Sequence, residues 1–289
     1  MQKRVLFIGY GDIAQRTAAR LSAAGFSCWG LCRQPDNKPL VAGVELIAGD
    51  ACNEVDLRQA LALEPDYIVI TLTPARQPED DPGERYHQGY VVPCRHLQHL
   101  LSHATDQHKP QVFYVSSTSV YGVDDGRWLD ESSPAVPNSA TGQALLQAEQ
   151  VIASIPQSCT ILRCSGIYGP GREMARRLLE QGRVTLTPAW TNRIHADDVA
   201  GFITHLVQHP PAYPLYIVSD NQPVQQADFY RYLAQLNGLA VEGLAETQVI
   251  GPRGSKRLDN SRLRSSGYQL RYATYQSGGY SANSSAEAD

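Results

Sequence analysis

The chain has 289 residues, 42% of them hydrophobic and 19% charged, with a formal net charge of −4. That length can bury a large core in one α/β domain with a smaller appended lobe, and the charge balance without any basic run excludes a nucleic-acid footprint. No apolar stretch could span a bilayer, the first strand is too short for a signal core, and the six cysteines (Cys28, Cys32, Cys52, Cys94, Cys159, Cys164) show neither C-x-x-C nor zinc spacing, so a cytoplasmic protein with reduced thiols is expected.

Val5–Leu6–Phe7–Ile8 is an apolar run too short for a helix, and it meets the turn Gly9–Tyr10–Gly11. A helical pattern follows to about Ala24, with Ile13, Arg16, Thr17, Arg20 and Leu21 at steps of three and four, and Gly25 stops it. Strand, glycine turn and helix in that order form a cradle for a dinucleotide pyrophosphate at a helix N-terminus. Gly9 permits the tight turn, Gly11 lets phosphate approach the backbone, and Ala14 lets the helix pack closely on the strand. Asp12 and Ile13 complete the predicted cradle. An ordinary strand-to-helix turn uses the same residues; its place at the head of an alternating strand–helix series favours the cradle.

A second strand near 27–32 ends at Cys32 and Arg33, where an acidic residue would bind the ribose hydroxyls of NAD. A guanidinium there can pair with the 2′-phosphate of NADP instead, so NADP is favoured over NAD, the alternative being a solvated arginine. Residues 44–50 read as a third strand ending in Gly49–Asp50. Asp50 is placed beside an adenine amino group, or as the cap of a helix beginning near Asn53, or both. The fourth strand, 66–73, is ended by Pro74, and a polar loop over 76–83 leads into a long helix over 84–104. That helix carries His96, His99 and His103 on one face, interspersed with Gln98 and Gln107 and without a carboxylate at ligand spacing; it reads as a solvated face and no metal site is expected.

The fifth strand, 112–116, runs into the hydroxyl cluster Ser117–Thr118–Ser119 and then Val120–Tyr121–Gly122, at the strand end where ligands meet α/β sheets; a capping turn is the plainer use. A helix starts near Ser139, with Ala144, Leu145, Ala148, Val151 and Ile152 on its apolar side. The sixth strand, 160–163, opens the loop Cys164–Ser165–Gly166–Ile167–Tyr168–Gly169–Pro170–Gly171–Arg172. Arg193–Ile194–His195–Ala196–Asp197–Asp198 reads as a strand end running into a helix capped by Asp197. A short strand at 216–218 and a helix at 227–236, stopped by Gly238, follow, and the Ser/Ala/Asp-rich residues from Gly278 are expected to fray.

Together the glycine turn, Gly49–Asp50, the segment Val115 to Gly122, Leu162–Arg163 with the Tyr168–Arg172 loop, and the Arg193–Ala200 stretch resemble the extended short-chain dehydrogenase/reductase superfamily, in its NAD-dependent epimerase/dehydratase branch. The segment Ser255–Lys256–Arg257–Leu258–Asp259–Asn260 is similar to members called nucleoside-diphosphate-sugar epimerases. The resemblance implies a doubly wound Rossmann sheet with a small C-terminal α/β substrate lobe. The expected division is a Rossmann domain over 1–165, a substrate lobe over 166–277 interleaved with late sheet elements, and a tail over 278–289. It also implies a small-molecule substrate such as a sugar nucleotide, and a homodimer through the helices near 84–104 and 139–153 by analogy. Leu72 and Thr73 are expected on the ribose side, Cys164 and Ser165 near the carboxamide, and Thr118 and Arg193 toward the substrate, Arg193 holding an anionic group.

The chain departs from the family's catalytic set of Ser, Tyr-x-x-x-Lys and an upstream Asn. The hydroxyl position matches Ser117, but Thr141 stands at the tyrosine, Leu145 at the lysine and Tyr90 at the asparagine. The family tyrosine works because a neighbouring ammonium lowers its pKa; a threonine hydroxyl beside leucine is a poor proton shuttle. Tyr121, Tyr168 and His195 lie on segments expected at the same sheet edge and are the replacement candidates. These departures resemble the atypical subgroup, so two readings stand: an NADP-dependent epimerase/dehydratase-like oxidoreductase with an altered acid, or a non-catalytic NADP(H)-binding regulatory or redox-sensing protein.

Overall fold

The computed structural model describes residues 2–74, 81–103, 109–156 and 158–280. Most of the expected polar loop, the predicted helix end at Ala104, Gln107 and the tail beyond Tyr280 lie outside the described residues.

Seven strands form the main sheet: β1 (Arg4–Ile8), β2 (Ser27–Cys32), β3 (Val44–Ala48), β4 (Tyr67–Ile70), β5 (Gln111–Ser117), β6 (Cys159–Cys164) and β7 (Leu215–Val218). Their order is β7-β6-β5-β4-β1-β2-β3. β1 is flanked by parallel partners on both sides, with Val5 opposite Cys28 and Tyr67. The strand order therefore reverses at β1, which is the crevice where open α/β sheets take ligands. The Val, Ile and Phe runs of β1, β4 and β5 are buried on both faces, as a sheet covered by helices on both sides requires.

Helix α1 (Asp12–Ala23) buries Ile13, Ala14, Thr17, Ala18 and Leu21. Arg16 and Arg20, expected on that stripe, lie off it; the buried Thr17 hydroxyl donates to the Ile13 carbonyl at 2.7 Å. Helix α2 (Glu54–Leu61) is capped by Asn53, whose side chain accepts from the Val55 amide. Asp50, considered as that cap, instead closes its own turn by accepting from the Cys52 amide at 2.9 Å. Helix α3 (Pro82–Tyr86) starts two residues earlier than the sequence suggested, because Asp81 caps it. It passes through a π turn at His87–Val91 into α4 (Val92–Ser102). Pro93 has no N–H to offer the carbonyl four residues back, which is where the helical bonding widens. Helix α5 (Ala140–Ala153) starts beside Ser139, as expected, and Ser139 caps it. Gly142 brings it against the end of β5: a Cβ there would lie 2.8 Å from the Ser119 carbonyl oxygen.

A buried polar cluster ties α5 to two strands. Arg163 on β6 donates to both oxygens of Glu149 on α5, at 2.7 Å from its terminal nitrogen, and Ser116 on β5 donates to the same carboxylate at 2.6 Å. Each buried charge is thereby paired and hydrogen-bonded.

The chain divides into two compact units. The first takes 1–120, 137–163 and 200–216; the second takes 121–136, 164–199 and the chain from 217 onward. The expected division placed one boundary near 165, whereas the 121–136 loop groups with the second unit and 200–216 with the first. The second unit is built on two-residue and three-residue ladders. Gly166–Tyr168 runs parallel to Arg193–His195, and Trp128–Leu129 parallel to Arg257–Leu258. Helices α6 (Met174–Glu180), α8 (Gln226–Asn237, ended by left-handed Gly238) and α9 (Ser261–Ser265) cover them. Helix α7 (Ala196–Gln208) begins two residues sooner than predicted, so Asp197 lies inside its first turn. The ring Nδ1 of His195 accepts the Asp197 amide at 3.1 Å and takes the place that Asp197 was expected to fill. Among the described residues no helix is long and apolar enough to cross a membrane.

Candidate functional site

In the first unit a cavity of about 490 Å³ opens over the C-terminal ends of β1, β2 and β3. Gly9, Gly11, Arg33, Asp50, Leu72 and Thr73, all named from sequence, line it together. Gly9 has φ +85°, and a Cβ there would press within 3.1 Å of the Thr71 carbonyl oxygen; only glycine makes this turn without strain. A Cβ at Gly11 would meet nothing within 4 Å, so the cavity reaches the backbone at the start of α1. Gly11 caps that helix with no side chain, leaving its first-turn amides to an anion.

The other three cradle residues do not line the cavity. Ile13 and Ala14 are buried under α1, where Ala14 permits close packing. The Asp12 carboxylate is paired with Arg16 at 2.6 Å, which offsets the negative charge beside a phosphate site.

Arg33 is exposed on the cavity rim, and Lys38 stands on the same rim with Gln34 and Asn37. Neither cation makes an ion pair with a described residue. Asp50 is the one carboxylate among the described lining residues, and one of its oxygens is held by the Cys52 amide. Sequence reading passed over Lys38 because it sits in a loop without periodicity; its signal was a second cation five positions after Arg33. Burial pushes the Tyr10 hydroxyl up to about 12, and that hydroxyl has no partner among the described residues.

At the end of β5 the Ser117 hydroxyl accepts the Ser119 amide at 3.1 Å and lies 3.0 Å from the Ser119 hydroxyl, while Thr118 is buried. The Thr141 hydroxyl is 3.2 Å from that of Ser139, and Leu145 is in the core. Tyr90 packs edge-on against Tyr86, and burial raises its hydroxyl pKa. His99 lies 3.4 Å from Glu54 and His103 bonds the His99 carbonyl, so two of the three helix imidazoles are engaged separately.

The second unit gathers the remaining predicted residues around one cluster. The Tyr168 hydroxyl donates to the Thr274 carbonyl at 3.3 Å, and burial raises its pKa further. His195 is held between Tyr168, edge-on at 5.1 Å, and Tyr272 at 3.9 Å. Its Nδ1 accepts the Asp197 amide at 3.1 Å and lies 3.7 Å from the Asp197 carboxylate. Gly169, at φ +128°, lets the backbone pack closely on the ring: a Cβ there would sit 2.8 Å from Nε2. The Tyr121 hydroxyl closes its own loop by donating to the Asp130 carbonyl at 3.2 Å. Cys164 is buried, which pushes its thiol up to about 12, and the buried Ser165 hydroxyl has no partner among the described residues.

Arg193 stacks its guanidinium 3.3 Å from the Phe229 ring centre, and its Nε is buried without a hydrogen-bond partner. Burial lowers its pKa. Asp220, which sequence reading did not single out, lies in the same surroundings. One of its oxygens accepts the Gln222 amide and the other has no partner among the described residues. Burial pushes its carboxyl up to about 7, against the lowering effect of Arg193.

Three comparisons bear on this arrangement. The model of the NAD dependent epimerase/dehydratase family matches residues 8–218. The chain is 30% identical over 284 residues to Protein YeeZ of Escherichia coli K12, covering 93% of this chain and 96% of that one. A solved structure from Methylobacillus flagellatus, described in the same family terms, is 38% identical with a TM-score of 0.78 and 96% coverage of each chain. The Bordetella bronchiseptica enzyme WbmG, solved with NAD and UDP, shares the fold at a TM-score of 0.78 and 16% identity, with 94% of this chain and 90% of that chain covered. Matched over most of its length and seated on the same sheet, the chain belongs to the NAD-dependent epimerase/dehydratase family.

Proposed function

We propose that the protein is an NADP(H)-dependent oxidoreductase of the epimerase/dehydratase type, acting on an alcohol or ketone carbon of an anionic small molecule of the sugar-nucleotide class. The observation that carries this reading is the cavity at the glycine turn, where Arg33 and Lys38 stand on the rim without an ion-pair partner among the described residues. A 2′-phosphate would find a guanidinium and an ammonium there. In this reading Gly9, Gly11 and the first-turn amides of α1 hold the pyrophosphate, Asp50 the adenine amino group, and Leu72 and Thr73 the ribose side. The partnerless Ser165 hydroxyl, with Cys164 next to it, supports a carboxamide neighbour. When bound, the nicotinamide ring supplies the hydride acceptor or donor.

The chain's own groups then orient the substrate and move one proton. Ser117 and Thr118 offer hydroxyls to the reacting oxygen, and Arg193 offers a buried guanidinium to the anionic group. The complex of WbmG with UDP supports a diphosphate as that group. Thr141 cannot serve as the acid without an ammonium beside it. Tyr121 and Tyr168 have their hydroxyls committed to carbonyls. The proton transfer is assigned to His195, whose Nδ1 is set by the Asp197 amide and whose ring is held by Tyr168 and Tyr272. Titration of the protein with NADPH and NADH, alone and as Arg33→Ala, tests the reading. NADPH binding that weakens selectively in the variant is expected; binding of neither nucleotide overturns it.

A second reading has one specific observation in its favour. The core position of Leu145 and the Ser139 contact of Thr141 leave the family's proton relay unbuilt. A cofactor-binding regulatory protein would need no relay. Turnover by wild type that is lost in Ser117→Ala and in His195→Asn, with NADPH affinity kept, distinguishes the enzyme from the regulator.

A further inference from the structure

The second unit carries a pocket of about 300 Å³ that neither the cofactor cavity nor the Arg193 cluster uses. One wall is Trp128, whose side chain is 55% exposed. The guanidinium of Arg257 covers part of that indole at 5.3 Å and lies 5.0 Å from Trp190 on its other side, which fixes the wall in place. The opposite wall is a chain of polar side chains that hold one another. The Asn260 amide donates to the Ser219 carbonyl and to the Asn221 side-chain oxygen, both at 2.8 Å. Its own oxygen accepts Arg264 Nε at 3.0 Å, and Arg264 also donates to the Ser261 hydroxyl at 3.0 Å. Ser261 donates from both its amide and its hydroxyl to one oxygen of Asp259.

Each member of that chain is fixed by one neighbour and has capacity left. Asp259 keeps its second carboxylate oxygen, Asn221 its amide hydrogens, and Arg264 the hydrogens of its second terminal nitrogen. An acceptor and donors thus line one pocket with an aromatic ring, held by their bonds to one another. A ligand bound here meets rotamers that are fixed beforehand, so little ordering entropy opposes it.

We infer that this pocket binds a pyranose ring, with the C–H face of the sugar on Trp128 and vicinal hydroxyls on Asp259, Asn221 and Arg264. A hydroxyl donates and accepts at once, so two neighbouring hydroxyls satisfy an adjacent carboxylate and guanidinium in a way an apolar ligand cannot. The site is independent of the cofactor reading: it needs neither the glycine turn nor Arg33.

The test is saturation-transfer NMR on the full-length protein with the methyl glycosides of glucose, galactose, mannose and N-acetylglucosamine at millimolar concentration, and with guanosine in a parallel sample. Transfer to the ring C–H protons of at least one glycoside is expected. It should vanish in Trp128→Ala and weaken about tenfold in Asp259→Asn, the size of one lost hydrogen bond to a charged group. Trp128 is exposed, so its variant keeps the fold; circular dichroism and an unchanged NADPH titration check both proteins. No transfer from any of the four glycosides, equal transfer in Trp128→Ala, or transfer to guanosine alone overturns the inference.

Discussion

The guanidinium of Arg193 rests 3.3 Å from the centre of the Phe229 ring and takes its stabilisation from an aromatic face, with Nε buried and unbonded. A cation–π contact recovers only part of what water gave. The structure therefore holds a charge at a cost to its own stability. Arg193→Met, similar in length and apolar, should raise stability by about 1 kcal/mol in urea unfolding. The same change should weaken binding of UDP, used as the anionic probe in calorimetry, by about tenfold or more. A variant that unfolds more easily than wild type would make Arg193 a packing residue.

The glycine turn separates folding from binding at two adjacent positions. Gly9→Ala places a Cβ at φ +85°, hard against the Thr71 carbonyl, and should lose about 1–3 kcal/mol of stability. Gly11→Ala adds a methyl to open space. It should leave the melting temperature within a degree or two of wild type, by about 0.5 kcal/mol or less, while NADPH binding falls. Melting curves with and without NADPH give both answers, and loss of stability in Gly11→Ala would count against the phosphate role.

Lys38 has no ion-pair partner among the described residues and shares the rim with Arg33. Lys38→Ala should weaken NADPH about threefold to tenfold, as loss of one charge-assisted contact at an exposed site does, and leave NADH unaffected. Added salt should narrow the gap between the two nucleotides, because both cations sit where solvent screens them. An equal effect on NADH would show that the lysine acts elsewhere on the cofactor.

Asp220 ties stability to pH. Its carboxyl titrates at about 7 in the folded chain against 3.8 ordinarily, through burial. Across that window the folded state keeps a proton that the unfolded chain has released, so stability contributed by this group is full at low pH and falls as pH rises through the folded value. Asp220→Asn should remove that decline. The check is the urea midpoint of both proteins at about pH 5 and about pH 8; parallel slopes in the two would place the titration on another group.

Glu149 and Arg163 hold each other in the core with Ser116 as third partner. Glu149→Ala strands a buried guanidinium and should cost about 3–5 kcal/mol. Ser116→Ala removes one hydrogen bond to a charged acceptor and should cost about 1–3 kcal/mol. Equilibrium unfolding of the two variants and of their double mutant checks the coupling, which should be non-additive.

What could be read from the sequence was local. The turn from β1 into α1, the stop at Gly25, the helix start near Ser139 and the cluster of cavity residues after β1, β2 and β3 all follow from neighbours in the chain. The errors were of one or two residues where a neighbouring side chain takes the capping place, as His195 does ahead of Asp197 at α7 and Asn53 does after Asp50 at α2. Asp220 was invisible for another reason. Its oddity is burial, which the folded chain imposes and no neighbouring residue announces. The stacking of Arg193 on Phe229 joins residues far apart in sequence, so the arginine was legible as a cation and not as one stacked on an aromatic ring.

The chain passes between its two units five times, as 1–120, 121–136, 137–163, 164–199, 200–216 and the remainder alternate. A ribosome must therefore deliver residue 216 before the first unit has all its pieces, including β7 at the sheet's edge. Among the described residues, the cavity at the glycine turn is lined by none later than Gly89. During synthesis those lining residues are all present long before the sheet that supports them is complete. A stop codon or a protease cut in the latter half of the gene product leaves a fragment that carries every cavity residue and lacks a finished edge, and that fragment is the one chaperones would have to hold.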